Sequence, residues 1–277
     1  MPNKNVPMAL VYDFDGTLAP GNLQENSFIP DIGMDKQDFW SEVNRLSRER
    51  QADGILMYMH LMLDRAKAAR VPVRRDDFTK RGADVKFFNG VVDWFDRITA
   101  YGKAANVDVE HYIVSSGNAE IIEGTIIAKH FRQIYGSKFM YDENGAACWP
   151  ALAINFTTKT QFLFRINKGA HDLSDNHDIN QFVPMKDRPV PFENMVYIGD
   201  GETDVPCFRL VKDLGGLSVA VFKPNTRNAR SKAEQFATDG RVHCIAPADY
   251  TEDKRLDQVV KSQVDLLAAR EMRNKIL

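Results

Sequence analysis

Apolar and polar positions follow two regimes along the chain. In the first, short apolar runs stop abruptly at polar residues. Met8-Ala9-Leu10-Val11-Tyr12 ends at Asp13, and His111 to Val114 ends at Ser115. Met195 to Ile198 ends at Gly199, and Leu217 to Phe222 repeats the pattern. Such runs read as strands buried on both faces. Helical stretches are expected after Asn118, Asp204 and Asn225. Strands alternating with helices predict a doubly wound α/β fold with a mostly parallel sheet. Ligands bind such sheets beyond the C-terminal ends of the strands.

From about 19 to 109 the regime changes. Phe39, Trp40, Val43 and Leu46 recur at helical spacing, and Ile55 to Ala69 is apolar nearly all round at its start. Asp76 to Arg81 predicts a shorter helix, and Val91, Trp94, Phe95 and Ile98 another. The block reads as a helical insert with its own small core. Further on, Glu143-Asn144-Gly145 predicts a hairpin turn between two strands within 140–156. Leu256, Val259, Val260, Val264 and Leu267 form one stripe of a C-terminal amphipathic helix.

Charge narrows the function classes. Lys+Arg (36) nearly balance Asp+Glu (38) over 277 residues. That balance argues against a nucleic-acid or membrane-surface partner, which leaves a basic footprint. Cys148, Cys207 and Cys244 are scattered, which excludes a zinc cluster by spacing and predicts buried reduced thiols. The six histidines show no metal-ligand spacing. Residues 1–5 carry no apolar leader, and the Ile55–Leu63 run is too short to span a bilayer. A cytoplasmic location is the expectation.

Candidate chemistry gathers where the apolar runs end. Asp13-Phe14-Asp15-Gly16-Thr17 sets two carboxylates at the ligand edge of the sheet. Gly199-Asp200-Gly201-Glu202-Thr203-Asp204 brings a second acidic cluster to the same edge. Carboxylates so close repel unless a cation offsets them. An oxygen-only donor set suits a hard ion such as Mg²⁺, which shares its shell with phosphate. Ser115-Ser116-Gly117 offers hydroxyls and backbone N–H groups to an anion at a helix start. Lys159, opening a predicted helix, and Lys168, near its end, are alternative sources of positive charge. The helix start faces the ligand edge, which favours Lys159.

In this order the motifs resemble the haloacid dehalogenase superfamily of hydrolases: Asp-x-Asp-x-Thr, a strand ending in Ser, a Lys, then Gly-Asp-Gly-x-Thr-Asp. The helical insert resembles the cap of its phosphoserine-phosphatase-like branch. The resemblance spans most of the chain and thins after about Phe222. It implies a Rossmann-like catalytic core over 1–18 and 110–277 and a helical cap over 19–109. The cap's last helix, about 89–102, could be counted with the core. It further implies a Mg²⁺-dependent phosphatase acting on a small phosphorylated metabolite. Asp13 would be the nucleophile, Asp15 the general acid and base, and Ser115 and Lys159 catalytic phosphate holders. Thr17, Ser116 and Gly117 would complete the phosphate site. Asp13, Asp15 (through its carbonyl), Asp200 and Asp204 would form the metal site. The acid at position 15 separates phosphatases from true dehalogenases.

One departure stands out: phosphoserine phosphatases carry a Glu after the first motif to meet the substrate ammonium, and Glu25 is out of that register. Gln24, Glu25 and cap arginines such as Arg65 are candidates to read the substrate, with exposed polar surface the first reading of each. Three alternatives remain open. One is a phosphotransferase or mutase, the second a non-catalytic phosphate-binding protein. The third is a receiver-like signalling module, whose motif order fits poorly.

Overall fold

The computed structural model describes residues 5–277; Met1–Lys4, part of the segment read above for a leader, lie outside them. The chain opens with β1 (Val6–Tyr12), and a run of helices follows: α1 (Phe28–Asp31), α2 (Lys36–Arg50), α3 (Gly54–Ala69), α4 (Arg75–Lys80) and α5 (Val91–Ala104). Next come β2 (Val107–Asn118), α6 (Ala119–Glu123), β3 (Phe131–Tyr141), β4 (Ala147–Leu152), α7 (Phe156–Lys168) and α8 (His177–Asn180). The remainder is β5 (Met195–Gly199), α9 (Val205–Asp213), β6 (Leu217–Phe222), α10 (Arg227–Thr238), β7 (Cys244–Pro247) and α11 (Arg255–Ile276).

The strands form one sheet in the order β4-β3-β2-β1-β5-β6-β7. Among the strands described, only β3 and β4 pair antiparallel. The strand order reverses at β1, which pairs with β2 on one side and β5 on the other. A crevice opens at such a switch point beyond the strand ends. The α/β expectation therefore holds.

Alternate residues of β1 explain the layering. Met8, Leu10 and Tyr12 pack with α5 and α11 on one face, whereas Ala9 and Val11 pack with α7, α9 and α10 on the other. Both faces are covered, so β1 is apolar at every position.

The segment between β1 and β2 is helical as expected. Asp53 caps α3 by accepting from the N–H groups of Ile55 and Leu56 (2.9 and 3.0 Å). Arg70, in the left-handed region (φ 57°), ends it. The apolar side chains of this segment do not form a core of their own, contrary to the sequence expectation. Phe28, Phe39, Met59 and Phe78 belong to the same continuous cluster as Leu10 and Tyr12. The Phe78 ring, for example, stacks on Phe28 (5.7 Å) and on Phe139 of β3 (5.3 Å).

The three cysteines are free, but only Cys207 is fully buried; Cys148 is exposed on β4. Among the described residues no helix is long and apolar enough to cross a membrane.

Candidate active site

Asp13 emerges from the end of β1 with its backbone N–H donating to the carbonyl of Ile198 on β5 (2.9 Å). The turn that follows needs glycine twice over. Gly16 sits at φ +77°, and a Cβ there would fall 2.2 Å from Asp200 Oδ2. The first acidic loop is thus folded directly against the second.

Lys159, in the first turn of α7, is completely buried. Its ammonium donates to Asp204 Oδ1 at 2.7 Å and pairs with Asp13 Oδ1 at 3.1 Å. Burial alone would lower its pKa; Asp13 and Asp204 together raise it instead, so the charge is retained. Lys168 lies at the other end of α7. It donates to the carbonyls of Ile179 and Gln181 (2.7 Å each), away from the site.

Asp204 accepts from four donors. Lys159 and the Tyr197 hydroxyl (2.8 Å) meet Oδ1, while the backbone N–H groups of Asp200 (3.1 Å) and Gly201 (3.0 Å) meet Oδ2. Its carboxylate shapes the loop that carries Asp200. Asp13, Asp200 and Asp204 each place an oxygen within 4.8 Å of the others.

This crowding shows in the acidities. Burial pushes the Asp13 carboxyl up to about 6, with Lys159 acting against it and Asp204 adding to it. Burial, then the charges of Asp204 and Asp13, push Asp200 up to about 8. A divalent cation would relieve both, and the all-oxygen donor set fits a hard ion. Asp15 is raised well above the carboxylate range, first by burial and then by Asp13. Its Oδ1 accepts from the Leu23 N–H at 3.0 Å. A Cβ on Gly117 would meet its Oδ2 at 2.9 Å.

The phosphate-site candidates surround this cluster. Ser115 Oγ accepts from the Gly117 N–H (3.1 Å), which leaves its own hydrogen to donate. The hydroxyls of Thr17 and Ser116 are buried without a hydrogen-bond partner. Asp13, Asp15, Ser115, Ser116, Gly117 and Asp200 all line a cavity of ≈ 590 Å³. Thr17, Lys159 and Asp204 stand behind that surface and do not line it.

Sequence alone does not single out Tyr58 or Tyr197. Tyr58 of α3 donates to the Ser116 carbonyl (2.7 Å), tying the helical segment to the serine loop. Tyr197 reads as one more apolar strand position until its hydroxyl is seen on Asp204. Trp40, counted with Phe39 and Val43 as helix core, is half-buried and lines the cavity. Gln24 lines it too and is 1% exposed, not surface as expected. Glu25 accepts from Trp40 Nε1 (2.9 Å) and Asn22 Nδ2 (2.7 Å). Arg65 pairs with Glu42 (2.6 Å). Neither Glu25 nor Arg65 lines the cavity.

Comparison with known proteins points the same way. The haloacid dehalogenase-like hydrolase family matches residues 10–209. An uncharacterized protein of Borreliella burgdorferi is 27% identical, covering 94% of this chain and 97% of its own length. A substrate-bound phosphoserine phosphatase structure superposes with a TM-score of 0.55 at 15% identity, covering 92% of this chain and 98% of that one. The hydrolase t0658 of Salmonella enterica serovar Typhi gives 0.57 at 14% identity, covering 94% of this chain and 72% of that one. At these identities the two structures establish a shared fold.

Proposed function

The chain belongs to the haloacid dehalogenase-like hydrolase family, and from that premise we propose that it is a Mg²⁺-dependent phosphatase. Its substrate is a small phosphomonoester, split through a phosphorylated Asp13. The observation that carries the reading is the Asp13 carboxylate, held on Oδ1 by a fully buried lysine at a cavity that Asp15 and Asp200 also line.

Asp13 is the nucleophile. Lys159 pairs with its Oδ1 as an ion pair at 3.1 Å, and Oδ2 forms the new P–O bond as the ester P–O bond breaks. The departing alkoxide takes the proton of Asp15. Burial and the charge of Asp13 raise the pKa of Asp15, the direction that favours a general acid. Asp15, now a carboxylate, takes a proton from the water that attacks the phosphorylated Asp13. The P–O bond to Asp13 breaks and inorganic phosphate leaves. Ser115 and Ser116 meet the phosphoryl oxygens, Gly117 orients Ser115 through its N–H and leaves room beside Asp15, and Thr17 supports the nucleophile loop. Lys159 offsets the charge that would repel an anionic substrate from Asp13. Asp13, the Asp15 carbonyl and Asp200 would hold Mg²⁺, with Asp204 orienting Asp200 and Lys159. The ion would supply charge neutralisation at the phosphoryl group.

The test is phosphate release from a generic aryl phosphate with and without Mg²⁺. Release should require the ion and disappear in Asp13→Asn. Undiminished release by that variant would remove Asp13 as the nucleophile.

A further inference from the structure

The cavity walls differ in charge according to which part of the chain supplies them. Every charged lining residue comes from loops and helices at the sheet edge: Asp13, Asp15, Asp200, Lys223 and Lys232. Lys232 pairs with Glu202 (3.4 Å) and acts on Asp200, both at the sheet edge. Residues 20–58 contribute no charged side chain to the lining. They present Trp40, Val43, Ile55 and Tyr58, with the amides of Gln24 and Asn44.

The nearest charges of that segment are occupied elsewhere. Glu25 is held by Trp40, Asn22 and Lys36, and Glu42 by Arg65 and Arg45. Trp40 is itself fixed, because its indole N–H is spent on Glu25 and its ring packs edge-on to Tyr58 at 5.8 Å. Gln24 is different. It is 1% exposed, lines the cavity, and its side-chain oxygen has no partner. A buried amide oxygen left unpaired is unfavourable until a donor reaches it.

We propose that this cavity selects phosphomonoesters of uncharged alcohols. The leaving group lays an apolar face against Trp40, Val43 and Ile55 and gives a second hydroxyl to Gln24. The assignment rests on the phosphatase reading. An ammonium on the leaving group would be desolvated against these walls without a counter-charge, and a carboxylate would meet a cation only by turning back to Lys223 on the sheet-edge side. The fold shared with phosphoserine phosphatase therefore does not carry phosphoserine specificity with it.

The test is calorimetric titration of the Mg²⁺-loaded Asp13→Asn protein with four probes: phenyl phosphate, a hexose 6-phosphate, O-phosphoserine and phosphocholine. The better neutral ester should bind at least roughly thirtyfold more tightly than either charged one. Gln24→Leu should lower the hexose-phosphate to phenyl-phosphate affinity ratio about tenfold. A second reading, independent of that variant's folding, is kcat/KM on the wild-type protein, which should rank the esters alike. The proposal is overturned if either charged ester binds or turns over as well as the neutral ones. It is equally overturned if no neutral ester binds. An unchanged ratio in Gln24→Leu removes the hydroxyl contact. Neutral esters that bind in the expected order but release no phosphate count against the phosphatase reading and leave the selectivity standing.

Discussion

The sheet edge and the helical wall enclose one cavity, but they are built on opposite principles. The edge concentrates Asp13, Asp15, Asp200, Asp204 and Lys159 in a space where each changes the acidity of its neighbours. The wall of residues 20–58 brings no charge to the cavity and meets it with aromatic, aliphatic and amide groups. In the proposed reaction the edge acts on phosphate, whatever carries it. In the proposed selectivity the wall meets whatever the phosphate is attached to. Reaction and selectivity are therefore separable, and substitutions on the two sides should fail in different ways.

The largest expected effect is on the edge. Asp13→Asn should lower kcat by at least roughly a thousandfold with little change in KM, read by phosphate release at saturating substrate. Next is Lys159→Met, which strands Asp13 and Asp204 as buried carboxylates without their cation. It should cost about 3–5 kcal/mol in denaturant unfolding as well as activity. An unchanged unfolding midpoint would show that the pair is not a structural charge centre. Asp15→Asn should slow the first step, read as release of the alcohol in a single turnover before Asp15 is needed as base, about 10²–10⁴-fold on alkyl phosphates and much less on nitrophenyl phosphate, whose leaving group needs no proton. Equal losses on both would remove the general-acid role.

Smaller effects lie beneath and across from the edge. His111 is buried between the Tyr12 hydroxyl and Thr99 Oγ1 (3.0 Å each). Burial, with some help from His130, lowers its pKa from 6.5 to about 3. The folded protein holds it neutral, whereas the unfolded chain protonates it below pH 6.5. Its contribution to stability is thus complete above that value and is lost as pH falls toward 3, by up to about 1.4 kcal/mol per pH unit. Urea unfolding at pH 7 and 5.5 should show this slope in the wild type and lose it in His111→Gln. Tyr58→Phe, on the wall, removes one hydrogen bond to the serine loop and should cost about 1 kcal/mol of stability with a few-fold loss in kcat/KM.

The same division decides what could be read from sequence. Edge residues follow apolar strands in fixed short motifs, so Asp13, Ser115 and Asp200 announce themselves by position. The sequence favours Lys159 over Lys168 because helix starts face the strand ends, and the two lie at opposite ends of α7. Wall residues have no such motif. Trp40 sits one position from the buried Phe39, and helical periodicity cannot tell a cavity wall from a core. Gln24 looks like surface because its burial depends on a turn returning toward Asp15 through the Leu23 N–H. The sheet margins were hard for a related reason. The start of β3 mixes Arg132 and Gln133 with apolar residues, and β7 is only four residues long, so neither shows the uniform apolar run of β1.

The central claim is that phosphate passes through Asp13. Borohydride reduction during turnover converts an acyl phosphate to the alcohol, and peptide mass spectrometry locates the altered residue. The account predicts that the wild-type protein, with Mg²⁺ and an aryl phosphate, is reduced at Asp13 and nowhere else, and that Asp13→Asn shows no reduction. Rapid phosphate release with Asp13 left unmodified, or with the reduction found at another carboxylate, would contradict it.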